Sequence, residues 1–179
     1  VHSAKGYYEY AELEYKKTLE INPKDIEAHY NLGNAYERKG ILDNAIKEYQ
    51  NAIRYNPYYA DAYNNLGSIY KKTQLLDKAI EHYKKAIQCN PFNPHYYNNL
   101  GLVYHEEKLY KEAVIEFTRS LKINSELPAT HNHLGNTYKE IGNIKDAMTE
   151  YKTAIELDPA TADFHNNLGI VYTNIGQLE

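Results

Sequence analysis

Tryptophan is absent from this 179-residue sequence, and cysteine occurs once, as Cys89. A lone thiol cannot form an internal disulfide, which fits a reducing compartment, and the chain is expected to be intracellular, cytoplasmic or nuclear. No apolar run approaches the roughly 18 residues that would span a bilayer, so no membrane is expected. Gly6-Tyr7-Tyr8-Glu9-Tyr10 is too polar for the core of a secretory signal. Basic residues are not in excess: net charge is -4 with both signs interspersed, which argues against a nucleic-acid partner. Hydrophobic content of 42% and charged content of 25% are ordinary for a soluble chain. One count stands out. Tyrosine occurs 20 times, as if it fills aromatic places open elsewhere to Trp or Phe.

What is present is a period. Leu-Gly recurs as Leu32-Gly33, Leu66-Gly67, Leu100-Gly101, Leu134-Gly135 and Leu168-Gly169, always 34 residues apart. In phase with it run Tyr36, Tyr70, Tyr104, Tyr138 and Tyr172, then Ala11, Ala45, Ala79, Ala113 and Ala147. An aromatic ladder follows at Tyr15, Tyr49, Tyr83, Phe117 and Tyr151, and a small-residue ladder at Thr18, Ala52, Ala86, Ser120 and Ala154. Pro23, Pro57, Pro91 and Pro159 close the units, with Ser125 once in place of Pro. Such a period marks stacked repeats.

Within a unit the spacing is helical. Ala28, Leu32 and Tyr36 share one face, and Ala45, Tyr49, Ala52 and Ile53 share another. Gly40, with Gly6, Gly142 and Gly176, marks a turn between paired helices, where a left-handed residue ends the first. Gln74 and Lys108 stand in that place in the middle units, where a side chain costs roughly 1–2 kcal/mol, so those turns are expected to be strained or differently shaped. Gly33 and Ala45, with their equivalents, leave room for helices to cross at about 8 Å. One hairpin cannot cover its own apolar faces, so neighbours must stack on it. The fold expected is all-α, an open right-handed superhelical array of antiparallel helix pairs.

Asn-Leu-Gly-x-x-Tyr, then Ala, an aromatic, Ala and Pro at fixed steps, closely resembles the tetratricopeptide (TPR) repeat along the whole chain. His29, Tyr63, Tyr97, His131 and His165 stand where that family often has Trp. Phasing predicts whole repeats at 26–59, 60–93, 94–127 and 128–161. Residues 1–25 are then a partial repeat carrying a second helix, and 162–179 a partial repeat carrying a first helix. Neither end carries a polar capping helix, so a fragment of one longer solenoid is expected.

Catalysis finds no support. His131 and His133 are two apart and point to different faces of a helix, and His29, His131 and His165 share the aromatic packing place. Cys89 falls in the ladder Ile21, Tyr55, Ile123 and Leu157, and reads as a small buried hydrophobe. No metal site and no cofactor are expected.

Binding has a sharper signal. Asn31, Asn65, Asn99, His133 and Asn167 form a ladder on the first helices, which in TPR proteins line the concave side. Tyr30, Asn64, Asn98, Asn132 and Asn166 precede it, and Asn34, Ser68, Leu102, Asn136 and Ile170 lie one turn on. An amide offers both donor and acceptor, and first helices about 10 Å apart would meet an extended chain at every third residue. The candidate peptide-binding residues are therefore Asn31, Asn34, Asn64, Asn65, Asn98, Asn99, His133, Asn136 and Asn167. Against this stands a structural role, in which the amides bond between helices. The ladder resembles the Asn-lined superhelix of protein O-GlcNAc transferases, which implies extended protein or peptide partners. The carboxylate clamp that grips chaperone tails matches at Asn34, Asn65 and Asn99 but lacks its cations, with Tyr30 and His95 in their places, so that partner is not expected. The leading expectation is a peptide-binding scaffold. The alternative is a docking segment of a larger enzyme such as a protein O-GlcNAc transferase. Head-to-tail self-association is a third, because the helix at 162–175 and the open face at 7–22 are complementary.

Overall fold

A computed structural model describes residues 2–176, and among these every regular element is an α-helix. The chain divides into two compact units, Val1–Asn90 and Pro91–Glu179. The first holds α1 (His2–Ile21), α2 (Ile26–Arg38), α3 (Leu42–Tyr55), α4 (Ala60–Lys72) and α5 (Leu76–Cys89). The second holds α6 (Pro94–Glu106), α7 (Tyr110–Ile123), α8 (Pro128–Glu140), α9 (Ile144–Leu157) and α10 (Ala162–Gly176). In the first unit α2 pairs with α3 and α4 with α5; in the second α6 pairs with α7 and α8 with α9. The second helix of each pair then supports the next first helix, α3 under α4, α7 under α8 and α9 under α10.

The turns inside the pairs share one hydrogen-bonding pattern. Gly40 N–H donates to Glu37 C=O and Ile41 N–H to Tyr36 C=O, at 3.0 and 2.9 Å. The same two bonds recur after α4, α6 and α8. This is the Schellman stop, which requires a left-handed residue. Gly40 and Gly142 supply it with φ of 75° and 80°, and Gln74 and Lys108 adopt it too, with φ of 60° and 61°. The two unusual turns keep their shape and carry strain. Lys108→Gly should therefore raise stability by about 0.5–1 kcal/mol, the relieved left-handed cost less the added freedom of the unfolded chain. Urea denaturation of the two proteins measures it; no gain would mean the turn is not strained.

At the ends two expectations change. No turn forms at Gly6, because α1 runs unbroken from His2 to Ile21. One helical glycine costs only about 1 kcal/mol relative to alanine, too little by itself to stop a long helix. The turn expected after Gly176 lies outside the described residues.

Between pairs the chain turns on Asn22, Asn56, Asn124 and Asp158. Each side-chain oxygen accepts from the backbone N–H two residues on, at 2.9–3.2 Å. Such Asx turns carry the chain from each second helix into the next first helix. α6 starts on Asn93, whose side chain accepts from His95 N–H, with Pro94 at a place that needs no donor.

The core is a set of rings lying on glycines. A Cβ on Gly33 would sit 2.6 Å from the Tyr49 ring, one on Gly67 2.8 Å from Tyr83, one on Gly101 2.7 Å from Phe117, and one on Gly135 2.8 Å from Tyr151. All four rings are buried. The small residue thus makes room for an aromatic face, more than for a neighbouring backbone. Ser120, the departure in the alanine ladder, is fully buried and donates to Pro94 C=O at 2.8 Å. Its hydroxyl is satisfied, so the polar atom does no harm. Cys89 is only half-buried, with Sγ 3.8 Å from Pro57 C=O. Its ladder lies at the ends of second helices, where Ile21 is 87% exposed, which corrects the reading of Cys89 as core. Burial pushes its thiol pKa up.

Candidate peptide-binding face

His29 and His131 fill the aromatic place, as the repeat phasing predicts, but they also act as polar ties. His29 Nδ1 lies 2.6 Å from Glu48 Oε2 and Nε2 3.1 Å from Pro23 C=O. His131 repeats this with Glu150 at 2.6 Å and Ser125 C=O at 2.9 Å. The carboxylate lies 19 residues on in sequence, a partner that helical periodicity does not single out. The Glu150 bond is the largest cause holding the His131 pKa above the ordinary imidazole value, against the opposing effect of burial. A raised folded pKa adds stability that is complete below the unfolded pKa and disappears as pH rises through the folded one. The melting-temperature advantage of the wild type over His131→Gln should therefore shrink as pH rises above the ordinary imidazole pKa of about 6.5. A constant gap would mean the ring stays neutral throughout.

The first-helix face of unit 1 is built from α2 and α4. Asn65 Nδ2 on α4 donates to Asn34 Oδ1 on α2 at 2.9 Å and lies 3.3 Å from both Tyr30 Oη and Tyr49 Oη. The Tyr49 hydroxyl donates to Asn34 Oδ1 at 2.7 Å and lies 3.0 Å from Glu37 Oε2. Burial first, then the Glu37 carboxylate, push the Tyr49 phenol far above its ordinary range, so it remains a donor. Asn64 Nδ2 lies 3.3 Å from Asn65 Oδ1. Beside this network opens a cleft of about 420 Å³ lined by Tyr30, Asn34, Glu37, Arg38 and Lys72. Glu37 is held there by Lys72 as well as by Tyr49. At its edge the Tyr59 hydroxyl donates to Glu27, 3.0 Å away.

Unit 2 repeats the tie. His133 Nδ1 donates to Asn98 Oδ1 at 3.1 Å, Thr130 Oγ1 donates to the same oxygen at 3.1 Å, and Asn167 Nδ2 donates to Asn132 Oδ1 at 2.8 Å. Tyr151 Oη donates to Asn136 Oδ1 at 2.7 Å, as Tyr49 does to Asn34. Burial and nearby Glu140 push the Tyr151 phenol up to about 12. A smaller cleft of about 130 Å³ is lined by Leu102, His105, Phe117, His133 and Asn136. The buried Thr137 hydroxyl donates to His133 C=O at 2.8 Å, so His105 Nδ1, 3.0 Å away, must be the protonated nitrogen. Burial lowers the His105 pKa, which keeps that ring neutral.

The ladder thus divides by its bonds. Asn34, Asn65, Asn98, His133 and Asn167 tie one first helix to another, bonding back 31 or 35 residues. Asn31 is half-buried and has no side-chain partner among the described residues. Asn136 uses its oxygen, and its NH2 has no partner among the described residues. Asn99 is half-buried. No group of three or more His, Cys, Asp or Glu that could hold a metal occurs among the described residues. No described helix is long and apolar enough to cross a membrane.

A family model described as TPR repeat matches residues 2–40, 38–74 and 135–176. Two described as tetratricopeptide repeat match 60–93 and 82–115. No curated protein matches the chain. Among solved structures, MamA is similar with a TM-score of 0.79 and 26% identity over 89% of this chain and 94% of that one. PilF of Pseudomonas aeruginosa is similar at 0.81 and 20% identity, over 98% of this chain and 86% of that one. YrrB, described as a TPR protein with an unusual peptide-binding site, is similar at 0.76 and 23% identity, over 90% and 84%.

Proposed function

The chain belongs to the tetratricopeptide repeat family, and from that membership we propose that it is a protein-interaction scaffold whose first-helix face binds an extended or helical segment of a partner protein. The observation that carries this reading is the open polar cleft between α2 and α4, where Tyr30, Asn34, Glu37, Arg38 and Lys72 offer an aromatic ring, an amide and both charges. Such a lining suits a peptide, which brings backbone dipoles and side chains of either sign. The peptide-binding site described for YrrB, which shares the fold, is consistent with that role. The amides have two parts to play. Asn34, Asn65, Asn98, His133 and Asn167 hold the first helices in register, Asn64 leans on Asn65 within α4, and Asn31 and Asn136 keep polar groups for a guest. The likeness of the Asn31, Asn65, Asn99, His133 and Asn167 ladder to O-GlcNAc transferases keeps docking within a larger enzyme as the second reading.

Selection of a displayed random-peptide library on the immobilised chain tests the reading. Enriched sequences should bind about tenfold more weakly to Tyr30→Ala and to Asn31→Ala, the loss expected for one contact of about 1–1.5 kcal/mol. Melting of Asn31→Ala should stay unchanged. Failure to enrich any sequence, or enriched peptides indifferent to both changes, would overturn the assignment of this face.

A further inference from the structure

We propose that the smaller cleft, in the second unit, is a socket for one aliphatic side chain of leucine size on the partner segment. This rests on the peptide-binding reading and names what the guest must carry. The argument starts from a polar contact that recurs in three helix pairs. Tyr49 Oη donates to Asn34 Oδ1 at 2.7 Å, Tyr151 Oη to Asn136 Oδ1 at 2.7 Å, and Tyr83 Oη lies 3.2 Å from Ser68 Oγ. In each, a ring on the second helix ties its hydroxyl to a polar side chain on the first. The pair α6–α7 has neither end of this tie. Phe117 stands in the place of the tyrosines, and Leu102 in the place of Asn34, Ser68 and Asn136. A change at one end alone would cost a buried polar group its partner. Both ends are apolar, so the tie is gone and no orphan remains.

At that place the cleft of about 130 Å³ opens, lined by Leu102, His105, Phe117, His133 and Asn136. Phe117 is fully buried, and Leu102 packs against the cluster of Ala113, Phe117 and Leu134. The two imidazoles are held in place before any guest arrives. The His133 ring lies against Phe117 with centroids 5.8 Å apart, and its Nδ1 is tied to Asn98. His105 meets the Tyr110 ring at 5.4 Å, edge to face, and its Nδ1 is tied to the Thr137 hydroxyl. Side chains fixed in advance lower the entropic cost of binding.

Size and chemistry select the occupant. An apolar cavity of about 150 Å³ takes a benzene molecule. This one is smaller, so a branched aliphatic chain fits and an indole does not. No Lys, Arg, Asp or Glu lines it, and burial lowers the His105 pKa. A charged side chain would lose its water there and gain no counter-charge. Asn136 adds one polar group, an NH2 without a partner among the described residues, available to a backbone carbonyl beside the anchor. The cleft of the first unit, with Glu37, Arg38 and Lys72 in its lining, makes no such demand.

Capped amino-acid amides test the socket alone, followed by proton–nitrogen NMR of the 179-residue chain. N-acetyl-leucine methylamide, raised to about 30 mM, should shift the signals of Leu102, His105, Phe117, His133 and Asn136 saturably. Its alanine, lysine and tryptophan counterparts should not. Leu102→Asn combined with Phe117→Tyr copies the Asn136–Tyr151 pair and puts a hydroxyl and an amide in the apolar place. That variant should bind the leucine amide about tenfold more weakly or worse, with a melting temperature no lower than wild type. A leucine amide that shifts nothing, one that shifts no more than the alanine amide, or a folded double variant with an unchanged response would each overturn the socket. The comparison of the four amides uses the wild type alone and decides even where the double variant unfolds. Library-selected peptides beside a silent leucine amide would sink the socket and leave the peptide-binding reading standing. A library that enriches nothing, beside a saturable leucine amide, would sink that reading instead.

Discussion

Gly67→Ala should lower the stability of the first unit by about 1–3 kcal/mol, whereas Gly169→Ala should raise that of the second by about 0.5–1 kcal/mol. In isolation alanine favours a helix over glycine by roughly the latter amount, so the sign at Gly67 is set by what surrounds it. There the new Cβ would stand 2.8 Å from two carbons of the Tyr83 ring. That ring is 1% exposed and its hydroxyl is held 3.2 Å from Ser68 Oγ. Neither the ring nor the helix can move without opening a gap elsewhere in a packed core. At Gly169 a Cβ meets open space, and only the intrinsic preference acts. Urea denaturation of both variants measures the contrast. Equal effects of the same sign would show that the ring–glycine contact does not control the helix pairs.

That contrast also shows what is legible in the sequence and what is not. The 34-residue ladders reveal the helix pairs because each rung answers a local demand, such as a stop after α2 or a small residue beneath a ring. The through-space partner of a rung is another matter. Gly33 meets a ring on another helix, His29 meets a carboxylate 19 residues away, and Asn65 meets an amide 31 residues away. A period tells which positions are equivalent, not which of them touch. Gly6 misled for another reason: the glycine is in phase, but one glycine does not end a helix, and α1 continues through it. The candidate site suffered most. Nine polar residues on one helical face look alike in sequence, and only their bonds separate ties from open groups.

Asn65→Ala should cost about 1–3 kcal/mol, while Asn31→Ala, one repeat earlier in the same ladder, should stay within about 0.5 kcal/mol of wild type. Asn65 Nδ2 serves three oxygens, on Asn34, Tyr30 and Tyr49, and the Tyr49 side chain is fully buried. Deleting the amide leaves Tyr30 Oη without this donor and Asn34 Oδ1 with the Tyr49 hydroxyl alone, and it unties α4 from α2. Asn31 has no such duty, so its loss returns a half-buried group to solvent at little cost. A double-mutant cycle between Asn65 and Asn34 should give a coupling of about 0.5–2 kcal/mol, since both belong to one network. Thermal melting supplies the stabilities, and affinity for the library-selected peptide supplies the second axis. Asn65→Ala should move chiefly the first and Asn31→Ala chiefly the second. The reverse outcome would mean that Asn65 meets the guest directly and that the bonds seen between α2 and α4 give way when a peptide arrives.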